Sequence, residues 1–428
     1  MSRIQEATRA LRHRNFRLFF TGQIISLVGT WMQSIAESWL VYRLTGSAAQ
    51  LGMVGFCAQI PVFLIAPLGG IVADQGNRRK MLVATQSASM VLALAYAALT
   101  LTHLIQVWEI FVLAALLGIV NGFDIPVRQA FVVDMVGKDD LMNAIALNSS
   151  TFNAARIVGP AVAGILVATI GEGWCFFANG ASYVAVIVGL LLIRLPLRDR
   201  RAATASAWER IAEGFRFTAK TGPIAGLLLL LGLVSLAGMP YAVLMPIFAD
   251  RVLHGGSRTL GILMSASGAG ALLGALSLAF RRRVRGLGRW VALAAAGFGV
   301  SLIAFSFSHS IWISSLLLVP VGYTLMVEMA SSNTLIQAMV PDALRGRVMA
   351  VYSMMFMGMA PIGALLAGFA AHLFGADWTV AAGGALCIAG AAVFAAKLPA
   401  LRTEAQKLIV AHEAAAGEPS QGVSGMGT

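Results

Sequence analysis

Charge is what this sequence is short of. Asp, Glu, Lys and Arg make up 12% of its 428 residues, about half the roughly 25% of soluble domains. Three soluble domains, which the length alone suggests, would lack a polar exterior to cover them. Cysteine is scarce as well. Cys57, Cys175 and Cys387 have neither metal-ligand spacing nor an obvious pairing, so they read as small apolar fillers and exclude a disulfide scaffold. No G-x-x-x-x-G-K-[ST] phosphate loop occurs, and nothing points to ATP as a power source. The six histidines lie in arms, loops or at segment ends. No His/Asp/Glu cluster therefore supports an embedded hydrolase or transferase, and neither a metal nor another cofactor is expected. Period-2 alternation is missing too, which excludes a barrel of strands.

What is abundant is apolar. Hydrophobic residues are 58% of the chain and the mean hydropathy is +0.80. A bilayer core needs about 20 mostly apolar residues per helix. Twelve runs qualify: 18–43, 50–73, 81–104, 108–130, 141–169, 174–195, 222–249, 259–280, 290–308, 311–337, 346–374 and 378–397. These predict an all-α membrane protein with a basic arm at 1–17 and a first six-helix bundle at 18–195. A linker at 196–221, a second bundle at 222–397 and a tail at 398–428 follow, the tail expected to be disordered. A cleavable leader is not expected, because the first run is long and follows a basic arm.

Placing both termini in the cytoplasm sorts the cations. Of the 31 Lys and Arg, 27 then face inward; only Arg43, Arg251 and Arg258 face outward, and Arg156 lies within a span. Such a split is the positive-inside pattern. It assigns the basic runs to orientation against membrane lipid and gives no reason to expect a nucleic-acid partner.

A shift of 204 residues aligns the two halves. Gly118 meets Gly322, Gly159 meets Gly363, Trp174 meets Trp378, and Arg78-Arg79 meets Arg282-Arg283. Six spans per copy put both copies in the membrane in the same sense, as parallel repeats with a site expected between them near the midplane. Two similar bundles rocking about a central site is the geometry of a transporter.

After the second run comes Gly70-Ile-Val-Ala-Asp74-Gln-Gly76-Asn-Arg78-Arg79-Lys80. This stretch resembles the loop 2–3 signature of the major facilitator superfamily, G-x-x-x-D-R-x-G-R-R, with Gln75 and Asn77 as departures. Arg14-Asn15-Phe16-Arg17-Leu18, Asn121-Gly-Phe-Asp124-Ile-Pro126-Val-Arg128 and the stretch from Asn143 to Gly164 resemble the branch that includes the bacterial enterobactin exporter. The resemblance implies a bacterial inner-membrane protein. It also implies that Asp74 faces the N-terminal end of helix 11, where the helix dipole favours an anion. Arg78 should pair with Asp124 in helix 4, and with Arg79 and Arg128 the cluster should latch the halves at the cytoplasmic mouth in the outward-facing state. Glu328, on the repeat position of Asp124, is expected to form a mirrored latch. Gly70, Gly159, Pro160 and Gly164 are expected to let helices approach closely.

Charges inside the spans carry the remaining expectations. Arg156 lies mid-span in helix 5, where a charge costs roughly 2.5–3.5 kcal/mol on insertion scales. It shares a helical face with Ser149, Phe152, Gly159 and Ala163, with Asn148 beside them, and reads as substrate or proton handling or as a structural ion pair. In helix 1 a polar stripe runs Gln23, Ser26, Thr30, Gln33, Glu37. Burial favours the neutral form of any carboxyl, so Glu37 reads either as a proton-coupling group or as a partner of Arg43 near the outer mouth. Met349, Met354, Met355, Met357 and Met359 in helix 11 suit greasy ligands, or ordinary packing.

The expected function is a secondary exporter of a small organic molecule, a siderophore or drug-like compound, coupled to protons and working as a monomer. Coupled uptake shares every architectural feature, and an embedded enzyme has no constellation to support it.

Overall fold

A computed structural model describes residues 8–137, 139–194, 207–279 and 286–416. Among the described residues every regular element is helical. After a short 3₁₀ turn at Arg9–Arg12 come α1 (Arg14–Thr45), α2 (Ala48–Gln75), α3 (Arg78–Leu101), α4 (Val107–Val136), α5 (Leu141–Ile170) and α6 (Glu172–Leu192). The second half has α7 (Ala207–Lys220), then α8, an irregular helix over Gly222–Val252. It continues with α9 (Gly256–Ala279), α10 (Leu287–Ser306), α11 (Ile311–Met339), α12 (Asp342–Phe374) and α13 (Ala376–Ala416). Eleven of these are long and apolar enough to cross a membrane. The 32-residue α1 falls outside that group because its polar stripe lowers its hydropathy.

Two boundaries differ from the sequence expectation. The stretch 398–416, read as the start of a disordered tail, continues α13 through Pro399. The rest of that tail, 417–428, lies outside the described residues, as do Arg281, Arg282, Arg283, Arg285 and Lys138 of the basic runs. Part of the linker is also a helix: α7 packs on the start of α12, where Arg347 meets Glu213 at 2.5 Å. Charge-rich α7 looked like a connection because its apolar residues alternate with Glu and Arg at helical rather than continuous spacing.

The halves repeat in structure as well as in spacing. Shifted by 204 residues, the bounds of α2 to α5 fall within about five residues of those of α9 to α12, and α6 and α13 start at the same shifted position, with α13 running on to Ala416. In each half the second helix packs on the fourth and the third on the sixth. Between halves, α2 lies along α12 and α5 along α9. Gly171 and Gly375 close the two fifth helices with φ of 90° and 88°, a conformation only glycine adopts freely. Trp108, Trp174, Trp312 and Trp378 stand exposed at the same end of α4, α6, α11 and α13. Tryptophans at one level suit a membrane–water interface. That end is called the far end here, and the one carrying Arg78 to Lys80 and Arg347 the basic end.

The N-terminal turn is pinned to the basic end. Asp140, just before α5, accepts from His13 Nε2 at 2.7 Å and from Arg9. His13 foremost, and then Arg9, hold the Asp140 carboxyl below the ordinary aspartate range. A lowered folded-state value stabilises the docked arm above the unfolded value and is lost as pH falls through the folded one. Protection of the Arg9–Arg12 amides, relative to the unstructured rate at the same pH, is therefore expected to be high at neutral pH and to be lost on acidification below the ordinary aspartate range. Asp140→Asn should remove it at neutral pH; unchanged protection in that variant would show that the arm is held by other contacts.

Candidate functional site

Helices from opposite halves touch most closely toward the far end. A Cβ on Gly52 of α2 would lie 2.9 Å from the Gly368 Cα of α12. One on Gly164 of α5 would lie 3.0 Å from the Gly261 Cα of α9. Backbones that meet at glycines are in direct contact. Toward the basic end the picture reverses. Gly70 of α2 and Gly346 of α12 have nothing within 4 Å, and Asp74 is 63% exposed. The halves are in backbone contact at the far end, whereas Gly70 and Gly346 at the basic end face open space.

Polar contacts reinforce the closed end. Tyr42 of α1 donates to Asp250 of α8 at 2.7 Å, and Arg251 donates to the Gly46 carbonyl at 2.7 Å while lying 5.8 Å over the Tyr42 ring. Asp250 and Arg251 belong to a π-helical segment, Phe248–Val252, and such irregular turns re-aim side chains. Tyr42→Phe removes one cross-half hydrogen bond, worth about 0.5–1.5 kcal/mol. We expect a measurable shift toward far-end opening, read as increased labelling of single cysteines around Gly46; unaltered labelling would deny Tyr42 a gating role.

The basic-end cluster is built differently from what the resemblance implies. Arg78 does not meet Asp124. It donates to Asp134 at 2.9 Å and to the Ala73 and Ala130 carbonyls. The reason is depth. Arg78 opens α3 at the basic end, level with Asp134 in the last turn of α4, whereas Asp124 lies ten residues, about 15 Å, deeper. Asp124 is 2% exposed and is satisfied by Thr85 at 2.7 Å, Gln86 at 2.8 Å and Arg128 at 3.4 Å. Arg128 also reaches Gln23. Arg79 donates to the Leu190 and Leu191 carbonyls, completing the C-terminal end of α6. Asp74 has Arg78, 3.6 Å away, as its partner rather than the start of α12. The partners of these five residues all lie within the first half.

Glu328 lies about as deep in α11 as Asp124 does in α4. It is fully buried, receives Ser332 Oγ at 3.3 Å, and its second oxygen has no partner. It forms no latch with a cation among the described residues. Asp124 and Arg128 correspond at the repeat offset to Glu328 and Ser332, so a serine stands where the first half has its arginine. The glycine expectation shifts by one residue: Gly70 is open, and it is Gly69 whose Cβ would strike Pro126, 2.8 Å away. Gly159 backs on the Val28 carbonyl at 3.0 Å, and the buried Pro160 follows it.

The stripe of α1 faces its own half. Gln33 is buried and accepts from Asn179 of α6 at 2.6 Å. Glu37, 8% exposed, accepts from the Tyr96 hydroxyl of α3 at 3.1 Å, and Cys57 of α2 lies within electrostatic reach. Tyr96 also reaches the Ile110 carbonyl at 2.9 Å. Arg43 is engaged by Glu172 at 2.7 Å, which removes it as a partner for Glu37. Spacing by threes and fours marks one helix face but not the neighbour it meets, and here polar groups tie helices within the bundle.

The backbone at Arg156 and Ile157 packs against α9, and Phe152 lies one turn away on α5. The Arg156 guanidinium lies 5.9 Å from the Trp31 ring, and Phe152 meets Trp31 edge-on at 5.6 Å. Across the seam, Ser265 of α9 donates to the Ile157 carbonyl at 2.8 Å, and the Tyr241 phenol of α8 is within electrostatic reach of Arg156. Asn148 lies two turns nearer the basic end, half-buried. Trp31 carried no sequence signal. Tyr241 did: it is the repeat counterpart of Glu37.

Two repeated halves that meet along a seam with a charge at mid-span suit the movement of a solute, and comparison with known proteins agrees. The transmembrane secretion effector family matches residues 6–419. The chain belongs to that family. The chain is similar to the staphyloferrin A transporter of Staphylococcus aureus, 27% identical over 84% of this chain and 90% of that protein. The multidrug efflux pump Tap of Mycolicibacterium fortuitum is 28% identical over 79% and 85%. The enterobactin exporter EntS of Escherichia coli O81 is 25% identical over 83% and 85%. Among solved structures, the nucleoside transporter NupG superposes with a TM-score of 0.72 at 15% identity, covering 90% of this chain and 98% of that one. An inward-facing bacterial homologue of the lysosomal transporter Spinster gives 0.66 at 16%, covering 94% and 98%. These two carry the fold alone. The chain is a multi-pass membrane protein of the major facilitator type.

Proposed function

We propose that this protein is a secondary active exporter that carries a small organic molecule, siderophore-like or drug-like, across the bacterial inner membrane. The observation that carries the reading is the asymmetry of the seam, closed by glycine contacts and the Tyr42–Asp250 bond at the far end, against open space at Gly70 and Gly346 of the basic end. With α1 as the twelfth span and the basic end cytoplasmic, by the positive-inside distribution, this is the state that loads from the cytoplasm. Both termini then lie inside, and one chain suffices as the working unit.

Protons are the proposed driving partner, with Glu37 as the coupling group. Among the described residues its hydrogen-bond donor is the neutral Tyr96 hydroxyl, which has a single proton and two acceptors, Glu37 and the Ile110 carbonyl. Ionised Glu37 takes that proton's hydrogen bond; protonated Glu37 releases it to Ile110. Proton binding thereby changes how α1, α3 and α4 are tied together. Relatives that handle siderophores and drugs, together with the mixed aromatic and cationic seam, support the substrate range.

Proteoliposomes loaded with a candidate substrate test this. A pH jump that makes the side opposite the substrate acidic should drive substrate out against proton entry. Movement in the same direction as protons would replace export with uptake, and no movement across a broad panel would remove transport itself.

A further inference from the structure

Four other arginines of the first half have an acid or a pair of carbonyls: Arg43 has Glu172, Arg78 has Asp134, Arg79 has the α6 carbonyls, Arg128 has Asp124. Arg156 has none of these. Among the described residues its contacts are the Trp31 ring and the field of the Tyr241 phenol. A planar guanidinium with its fork free and one face against an indole is shaped to take a planar acid two hydrogen bonds at a time. Beside it Phe152 stands edge-on to Trp31 and is 45% exposed, leaving ring surface on which a second aromatic group can stack.

Resting on the transporter reading above, we propose that Arg156, Trp31 and Phe152 form a subsite for an aromatic carboxylate, the acid on the Arg156 fork and its ring against Phe152 and Trp31. The subsite lies where the halves move. The backbone beside Arg156 is fixed to α9 by Ser265, and the Arg156 carbonyl would lie 2.9 Å from a Cβ on Gly268. Separation of α5 from α9 therefore alters the surroundings of Arg156 and gives the bound acid a different grip in the two states. An arginine without a counter-charge repels a cationic aromatic in the same place, so the subsite discriminates by sign.

The test uses the full chain in nanodiscs of zwitterionic lipid and three probes with one ring system: 1-naphthoate, 1-naphthylmethanol and 1-naphthylmethylammonium. The wild type is expected to bind the carboxylate about tenfold or more tighter than the alcohol, and the ammonium least, as a charge-assisted pair predicts. Arg156→Gln should bring carboxylate and alcohol within about twofold of each other, Arg156→Lys should keep part of the preference, and Trp31→Leu should weaken all three probes together. The preference is a ratio within one preparation, so a poorly folded variant lowers all probes without mimicking its loss. Equal binding of carboxylate and alcohol by the wild type, or an unchanged ratio in Arg156→Gln, overturns the subsite. A full preference in protein whose liposomes move no compound upholds the subsite and removes the transporter reading instead.

Discussion

Glu37→Gln is expected to abolish pH-driven substrate movement while substrate-for-substrate counterflow continues. Glutamine keeps the size of the side chain and accepts a hydrogen bond from Tyr96, so the contact between α1 and α3 persists. What it cannot do is take up or release a proton. The groups facing Glu37 are the Tyr96 phenol and the Cys57 thiol, and neither supplies an alternative carboxyl. Positioned proton-transfer groups commonly account for about 10²–10⁴ in rate, so the driven flux should fall at least about 100-fold. Tyr96→Phe should give a smaller loss, because the carboxyl remains but its partner switch does not. Counterflow measured on the same vesicles separates lost coupling from lost binding, and a driven flux in Glu37→Gln equal to the wild type would end the coupling assignment.

Gly164→Leu is expected to have the other large effect, on the balance between states. A first added carbon at Gly164 already lies 3.0 Å from both the Gly261 Cα and the Ser257 carbonyl. Backbone atoms have no way to swing aside, and overpacking of this kind costs about 1–3 kcal/mol. That cost falls on the far-end-closed state and is relieved when α5 and α9 separate, so it shifts the populations by roughly 5- to 150-fold toward far-end opening. Transport should stop and cysteines in the far half of the seam should label faster. Gly171→Ala makes a useful contrast, because a side chain there meets no neighbour and is opposed only by the positive φ. Equal far-end labelling in Gly164→Leu and the wild type would show that the glycine contact does not hold the halves closed.

Much of the architecture was legible because membrane solvent constrains it so tightly. Runs long enough to satisfy the backbone in hydrocarbon had to be helices, and their expected bounds lie within a few residues of the observed ones over most of the chain. The repeat was legible because Gly171 and Gly375, and Trp174 and Trp378, serve the same turn and interface in both halves. Partners were not. Arg78 and Asp124 are separated by a depth of three helical turns, which only the antiparallel run of α3 and α4 reveals. Gln33 and Glu37 share a face whose neighbour, α6 or α3, the spacing does not name. Trp31 looked like any apolar residue until Arg156 and Phe152 were brought against it. Glycine positions failed by one residue at Gly70 because a turn of 3.6 residues rotates the next position by about 100°.

The central claim, that the two halves open at alternate ends, is tested most directly by pulsed distance measurements on two spin-label pairs. Lys80 with Gly346 reports the basic end, and Leu104 with Ile313 reports the far end; all four positions are exposed. In liposomes the unloaded protein should show a long basic-end distance and a short far-end one. Acidifying the far side in the presence of substrate should shorten the first and lengthen the second together. Two distances that stay fixed under every pH and substrate condition, or that lengthen at both ends at once, would contradict it.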